Sequence, residues 1–170
     1  LLSNHEDFEY AGVNPCAEEP LPAGGSCLLG SINLSRFVTD PFTDGASFDF
    51  AAFAACVKTC VRGMNEVLDE GLPLHPLEEQ RESVRDWRQI GLGIMGLADM
   101  LIEMGISYGS GAAIELCDRI GFEMIDTAIA ASAELAAEAG AYRKCDRERV
   151  VQTPFFSLNT TDETKKLVEQ

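Results

Sequence analysis

A chain of 170 residues with 46% hydrophobic content is the size of one domain with a real core. Its 28 acidic residues against 13 basic ones give a net charge of −15, which argues against a nucleic-acid polymer as partner because such binding draws on clustered Lys and Arg. No run approaches the roughly 18 continuous apolar residues of a membrane span, so no membrane partner is expected.

The first ten residues, LLSNHEDFEY, are polar and show no basic segment followed by an apolar one, so no secretory leader is read here. The chain opens at Leu1 and closes on KKLVEQ, and a piece of something larger is expected. Residues 12–30 are loop-like: Asn14-Pro15, Leu21-Pro22 and Gly24-Gly25 break any helix or central strand. SINLSRFV, residues 31–38, reads as a short strand, and DPFTDGAS, residues 40–47, as a turn-rich loop.

A long helix follows, with Asp49 or Ser47 as its cap. Phe50, Phe53, Val57, Val61, Met64 and Leu68 recur at helical spacing along it. Gly71 is placed just past its end, and Pro73 and Pro76 prevent continuation. Residues 77–88 form a short polar helix ending near Trp87. In RQIGLGIMGLADMLIEMG, Ile90, Leu92 and Ile94 alternate with Gly91 and Gly93, which predicts a short buried strand with close backbone approach. From Met95 the period turns helical and ends at Gly105. A third helix spans about 112–139, with Ile114, Cys117, Ile120, Met124, Ile125 and Ala128 on one face and Gly140 closing it. The tail holds a loop-like Pro154-Phe155-Phe156 and a short polar terminal helix.

Six cysteines without secretory signals suit a reducing, cytoplasmic setting better than a disulfide scaffold. None of the spacings is CxxC, so no zinc ribbon and no metal site is expected. Cys56 and Cys60, four apart on a helix, read as small buried hydrophobes, as do Cys117 and Cys145. GLGIMG has the spacing of a dinucleotide loop but no suitable strand–loop–helix unit before it, so its glycines are assigned to close packing. Cys16 and Cys27 are harder to place. On residues alone they are incidental loop thiols, a mutual disulfide, or carriers of thiol chemistry.

Three segments narrow the choice. NPCAE (14–18), GGSCLLGSINL (24–34) and RQIGLGIMGLADML (88–101) resemble, in order, the ribonucleotide reductase large (catalytic) subunit family. The GGSCLLGSINL wording and the eleven-residue step from Cys16 to Cys27 look most like its adenosylcobalamin-dependent class. The resemblance covers most of residues 8–156. It implies a fragment of a ten-stranded α/β barrel, helix-rich, with a finger loop at about 12–30, a helical remainder at about 48–140 and a tail at 141–170. It also implies reduction of a ribonucleoside di- or triphosphate to the 2′-deoxy form.

The same resemblance implies the site residues. Cys16 would carry a transient thiyl radical. Glu18 would be the general base on the 3′-hydroxyl, where hydrogen-bond reach is the requirement. Asn14 would hold ribose hydroxyls without competing for protons. Cys27 would be half of the dithiol that supplies two electrons. Its partner cysteine, the rest of the catalytic chain, and a thioredoxin-like or tail dithiol reductant would come from outside this segment. The implied cofactor is adenosylcobalamin, with no binding residue assigned; the alternative is a radical passed from a separate small subunit. Tyr10, Tyr108 and Tyr142 give no reason to place such a relay here. Two other readings stand beside this one: a non-catalytic helical interaction module, and a small thiol-redox protein using Cys16 and Cys27 as its own pair.

Overall fold

A parallel pair of strands forms the middle of the molecule, and everything between them in sequence is the crossover that parallel pairing demands. The structure is a computed structural model that describes residues 8–17, 20–26 and 28–169. Strands β1 (Gly12–Val13) and β2 (Pro20–Leu21) pair antiparallel, Gly12 opposite Leu21 and Val13 opposite Pro20. Strand β3 (Leu29–Asn33) runs into a 3₁₀ turn at Leu34–Phe37. Then come β4 (Val38–Thr39) and β5 (Ser47–Phe48), which pair antiparallel with each other. Helices α1 (Phe50–Gly71) and α2 (Glu78–Trp87) lead to β6 (Gly91–Met95). β6 lies parallel to β3 in unbroken register, from Leu29 opposite Gly91 to Asn33 opposite Met95. Helices α3 (Leu97–Glu103), α4 (Gly111–Ala139), α5 (Arg147–Val151), α6 (Pro154–Asn159) and α7 (Asp162–Glu169) complete the chain.

The strand expected over 31–38 begins two residues earlier and stops at Asn33. The Asn33 carboxamide oxygen accepts from the Ser35 N–H at 3.2 Å and from the Ser35 hydroxyl at 3.1 Å. That local bond offers the backbone an alternative to the ladder and turns it into the 3₁₀ segment. β6 falls where a short strand was expected, but it is not buried along its length: Ile94 and Met95, at its outer end, are exposed.

Asp49 is the cap of α1. Its carboxylate accepts from the Ala52 N–H at 2.9 Å, satisfying a donor that a helix start otherwise leaves free. Phe53, Val57, Val61, Met64 and Leu68 are buried as the spacing predicts. Gly71 is not the residue past the helix end. It keeps helical angles (φ −72°), and the chain tightens into a 3₁₀ turn over Leu72–Leu74. The Leu72 N–H still bonds the Leu68 carbonyl, so the left-handed turn that would call for glycine never forms there.

Ile32, Leu34, Phe48, Phe53, Val57, Met100, Leu101, Leu116 and Ile120 make one core. Phe37, Phe48, Phe50 and Phe53 meet in it as tilted or edge-to-face pairs with centroids 5.0–6.0 Å apart. α4 packs along α1, with Lys58–Glu134 at 2.7 Å and Arg62–Glu138 at 3.0 Å across the seam. Ile120, Met124 and Ala128 face the core as predicted. At the start of α4 the buried positions are Ala113 and Leu116 instead, and Ile114 is exposed.

The Pro154-Phe155-Phe156 segment is helical, not loop-like. Thr153 accepts the Phe156 N–H at 3.2 Å, and Pro154 occupies the first helical position, where its missing N–H costs nothing. Phe156 is buried under this helix.

Candidate active site

The β1–β2 pair is a hairpin whose connection, residues 14–19, carries the first thiol. The Ala17 N–H donates to the Asn14 carbonyl at 2.9 Å, closing a turn across Pro15 and Cys16. Ala17 pays for this with a left-handed backbone at φ +64°, a conformation that costs a residue with a Cβ about 1–2 kcal/mol. Pro15 stiffens the turn by fixing its own φ. Within these few residues the side chains divide. Asn14 is buried, 6% exposed, whereas Cys16 is exposed at the tip with a free thiol.

The hairpin stands on a fixed base. Phe8 is buried, and its ring meets those of Tyr10 and Trp87 edge-to-face, each at 4.8 Å. The Gln89 carboxamide donates to the Pro20 carbonyl at 3.4 Å. Gly24, at φ +70°, lies so close to Glu79 of α2 that a Cβ there would come within 2.6 Å of its side chain. The Gly91 N–H donates to the Leu28 carbonyl at 2.8 Å, which ties the start of β3 to β6.

Next to Trp87, Arg88 is in the left-handed region (φ +43°) just past α2. Its guanidinium forks onto Asp69 at 2.6 and 3.1 Å and donates to Asn65 of α1. That pairing holds the Asp69 carboxyl below its ordinary range, with the Arg88 hydrogen bonds the largest cause and burial opposing. Arg88 and Phe8 were not singled out from the sequence. The only signal was a Trp-Arg-Gln step where the helical period breaks.

Of the four residues implied at the site, the structure brings Asn14 and Cys16 into one turn. Glu18 and Cys27 lie outside the described residues. Cys56, Cys60, Cys117 and Cys145 carry free thiols elsewhere, the first three on α1 and α4 and Cys145 in the connection between α4 and α5. Burial, with Cys145 beside it, pushes the Tyr142 phenol well above its ordinary range, so it stays neutral. Among the described residues no group of three or more His, Cys, Asp or Glu side chains is placed to hold a metal. No helix among them is long and apolar enough to cross a membrane.

Comparison with known proteins shows the family. The family profile described as "Ribonucleotide reductase, barrel domain" matches residues 6–168. A vitamin B12-dependent ribonucleoside-diphosphate reductase of Thermoplasma acidophilum is 40% identical over 141 residues, 83% of this chain and 17% of that protein. One from Mycobacterium tuberculosis is 40% identical over 130 residues, 76% of this chain and 18% of the relative. A ribonucleoside-diphosphate reductase large subunit of Caenorhabditis elegans is 38% identical over 141 residues, 81% of this chain and 17% of that subunit. The chain thus spans less than a fifth of the length of these relatives. With the match running through the hairpin, both parallel strands and the helices, the chain belongs to the ribonucleotide reductase barrel-domain family.

Proposed function

We propose that this chain is the finger-loop segment of a ribonucleotide reductase catalytic chain. The parent enzyme would convert a ribonucleoside di- or triphosphate into its 2′-deoxy form. The observation that carries the reading is the hairpin tip. A free, exposed thiol at Cys16 stands two residues from a buried Asn14, in a chain that matches the barrel domain almost end to end.

The chemistry asked of this tip follows from the substrate. A ribose 2′-hydroxyl is a poor leaving group on an unactivated carbon, and a radical on the neighbouring 3′ carbon makes its loss feasible. In this reading the Cys16 sulfur, as a thiyl, takes the 3′ hydrogen atom and later returns it. S–H and activated C–H bonds are close in strength, so the exchange runs both ways. Glu18 accepts the 3′-hydroxyl proton, and its reach to that oxygen decides its use. Asn14, neutral and with both donors and an acceptor, orients the ribose hydroxyls. Cys27 and a second cysteine from the remainder of the catalytic chain become a disulfide. One ribonucleotide and two thiols yield one deoxyribonucleotide, one water and one disulfide, so atoms and electrons balance. A thioredoxin-like protein or a tail dithiol then reduces the disulfide by exchange. A reducing, cytoplasmic setting fits a chain whose described cysteines are all free.

The names of the relatives favour adenosylcobalamin over a small radical-bearing subunit. When bound, that cofactor supplies the radical that oxidises the Cys16 thiol. The exposed tip suits a bulky cofactor, because the Cys16 sulfur is open to approach from outside the hairpin. A ten-stranded barrel closing around the hairpin would come from β3, β6 and strands of the parent chain.

The deciding experiment is Cys16→Ser in the full-length parent enzyme. Deoxynucleotide formation is expected to vanish while the circular dichroism spectrum and the melting temperature stay those of the wild type. Turnover retained in that variant would remove Cys16 from the radical role.

A further inference from the structure

Cys56 and Cys60 take no part in the chemistry above, yet they are neighbours on consecutive turns of α1. Both are half-buried against the core, one helical turn apart on the same face. The helical period sets Cys56, Cys60, Gly63 and Val67 on one stripe. That stripe lies away from Lys58 and Arg62, which reach across to α4. It is thinly covered: a Cβ built at Gly63 would meet nothing within 4 Å, and Val67 is 52% exposed. A small reagent therefore has a path along the helix to both sulfurs.

The spacing selects what can join them. Residues four apart on a helix have Cβ atoms about 5–6 Å apart, whereas a direct disulfide needs about 3.5–4.5 Å. A direct S–S bond would bend the helix, but one bridging atom between the sulfurs closes the gap. We propose that Cys56 and Cys60 form a chelating dithiol site for a trivalent metalloid electrophile of the arsenous-acid class, which takes two sulfurs at roughly a right angle. With phenylarsine oxide the step is balanced: two S–H bonds and the As–O bonds break, two As–S bonds form, and one water leaves. The arsenic stays trivalent, so no oxidant is needed. Burial, followed by the nearby Cys56, pushes the Cys60 thiol up. It therefore remains protonated and delivers its own hydrogen to the departing oxygen.

The test uses the full-length parent protein with phenylarsine oxide, followed by peptide mapping. One phenylarsenic group is expected on the peptide holding Cys56 and Cys60. Cys56→Ser and Cys60→Ser should each weaken its capture at least about 100-fold, the scale of a lost second attachment point, while Cys117→Ser leaves it unchanged. In the wild type, 1,2-ethanedithiol should strip the group at concentrations where a monothiol does not, a readout that needs no variant. An unlabelled peptide in the wild type, a label that survives Cys60→Ser, or equal reversal by both thiols would overturn the proposal.

Discussion

At Gly96 the backbone turns at φ +70° directly after β6, and the Asn33 carboxamide occupies the space a Cβ would need. Both facts act against any other residue. The left-handed region alone costs a residue with a Cβ about 1–2 kcal/mol, and Asn33 would also have to leave its bond to Ser35. Gly96→Ala is therefore expected to destabilise the chain by about 2 kcal/mol or more, read as a lower urea midpoint. Asn33→Ala should make the same substitution cheaper, because the side chain in the way is gone. Strictly additive losses in the double variant would show that the two residues do not compete for the space. The sequence marked Gly91, Gly93 and Gly96 alike for close packing. At Gly93 the nearest atoms to a Cβ would be an ordinary 3.8 Å away. Spacing alone does not say which glycine turns left-handed; that is decided by where β6 ends.

Among the elements, α2 shows how exposed charges fasten the hairpin's support. Arg85 and Arg143 pair with Glu82, Arg81 and Arg85 with Glu78, and Arg88 with Asp69. Glu78, Glu82 and Asp69 are all held below their ordinary carboxyl range, chiefly by hydrogen bonds from these arginines. The sign follows. A carboxyl depressed in the folded state adds stability above its unfolded pKa, and the contribution disappears as pH falls through the folded one. For Asp69 the unfolded reference is 3.8. Asp69→Asn should then be less stable than the wild type at pH 7, by a few tenths to about 1 kcal/mol because the pair is largely exposed. The two urea curves should converge near pH 2. A gap of the same size at both pH values would show that Asp69 acts through packing rather than charge.

Much of the element pattern was legible in the sequence. The buried face of α1, the span of α2 and the closing Gly140 depend on local chemistry, and they stand where spacing put them; of the two caps it offered for α1, Asp49 is the one used. The failures come from contacts made elsewhere in the chain or from side chains that compete with it. Asn33 ended β3 early, the start of α4 turned Ala113 rather than Ile114 inward, and Thr153 capped what looked like a loop. At the site, the motif pointed to the turn holding Asn14 and Cys16. It gave no hint that Phe8 and Trp87 pack together beside the strand that leads into that turn, or that Arg88 ties the end of α2 to α1, since those contacts join residues far apart in sequence.

For the whole molecule, two properties pull in opposite directions. Among the described residues β3 and β6 form a sheet of only two strands, so each has an edge with unpaired backbone groups, a template for another chain. Apolar side chains flank those edges: Leu29, Ile94 and Met95 are exposed. Beside β6, an apolar groove of about 300 Å³ is lined by Leu34, Leu92, Ile94, Cys117, Ile120 and Met124. Against association stands the net charge of −15, which makes two copies repel. The balance depends on salt, because the screening length falls from about 30 Å at 0.01 M to about 3 Å at 1 M. Hydrogen bonding and apolar contact at an edge are not screened in this way. The isolated 170-residue chain should therefore sediment as a monomer at 0.01 M salt and self-associate as salt approaches 1 M. Ile94→Lys, which sets a charge on the outer end of β6, should move the onset to higher salt. Association equally strong at both salt concentrations would mean that repulsion is not what holds the copies apart. Association unaffected by Ile94→Lys would place the contact away from β6.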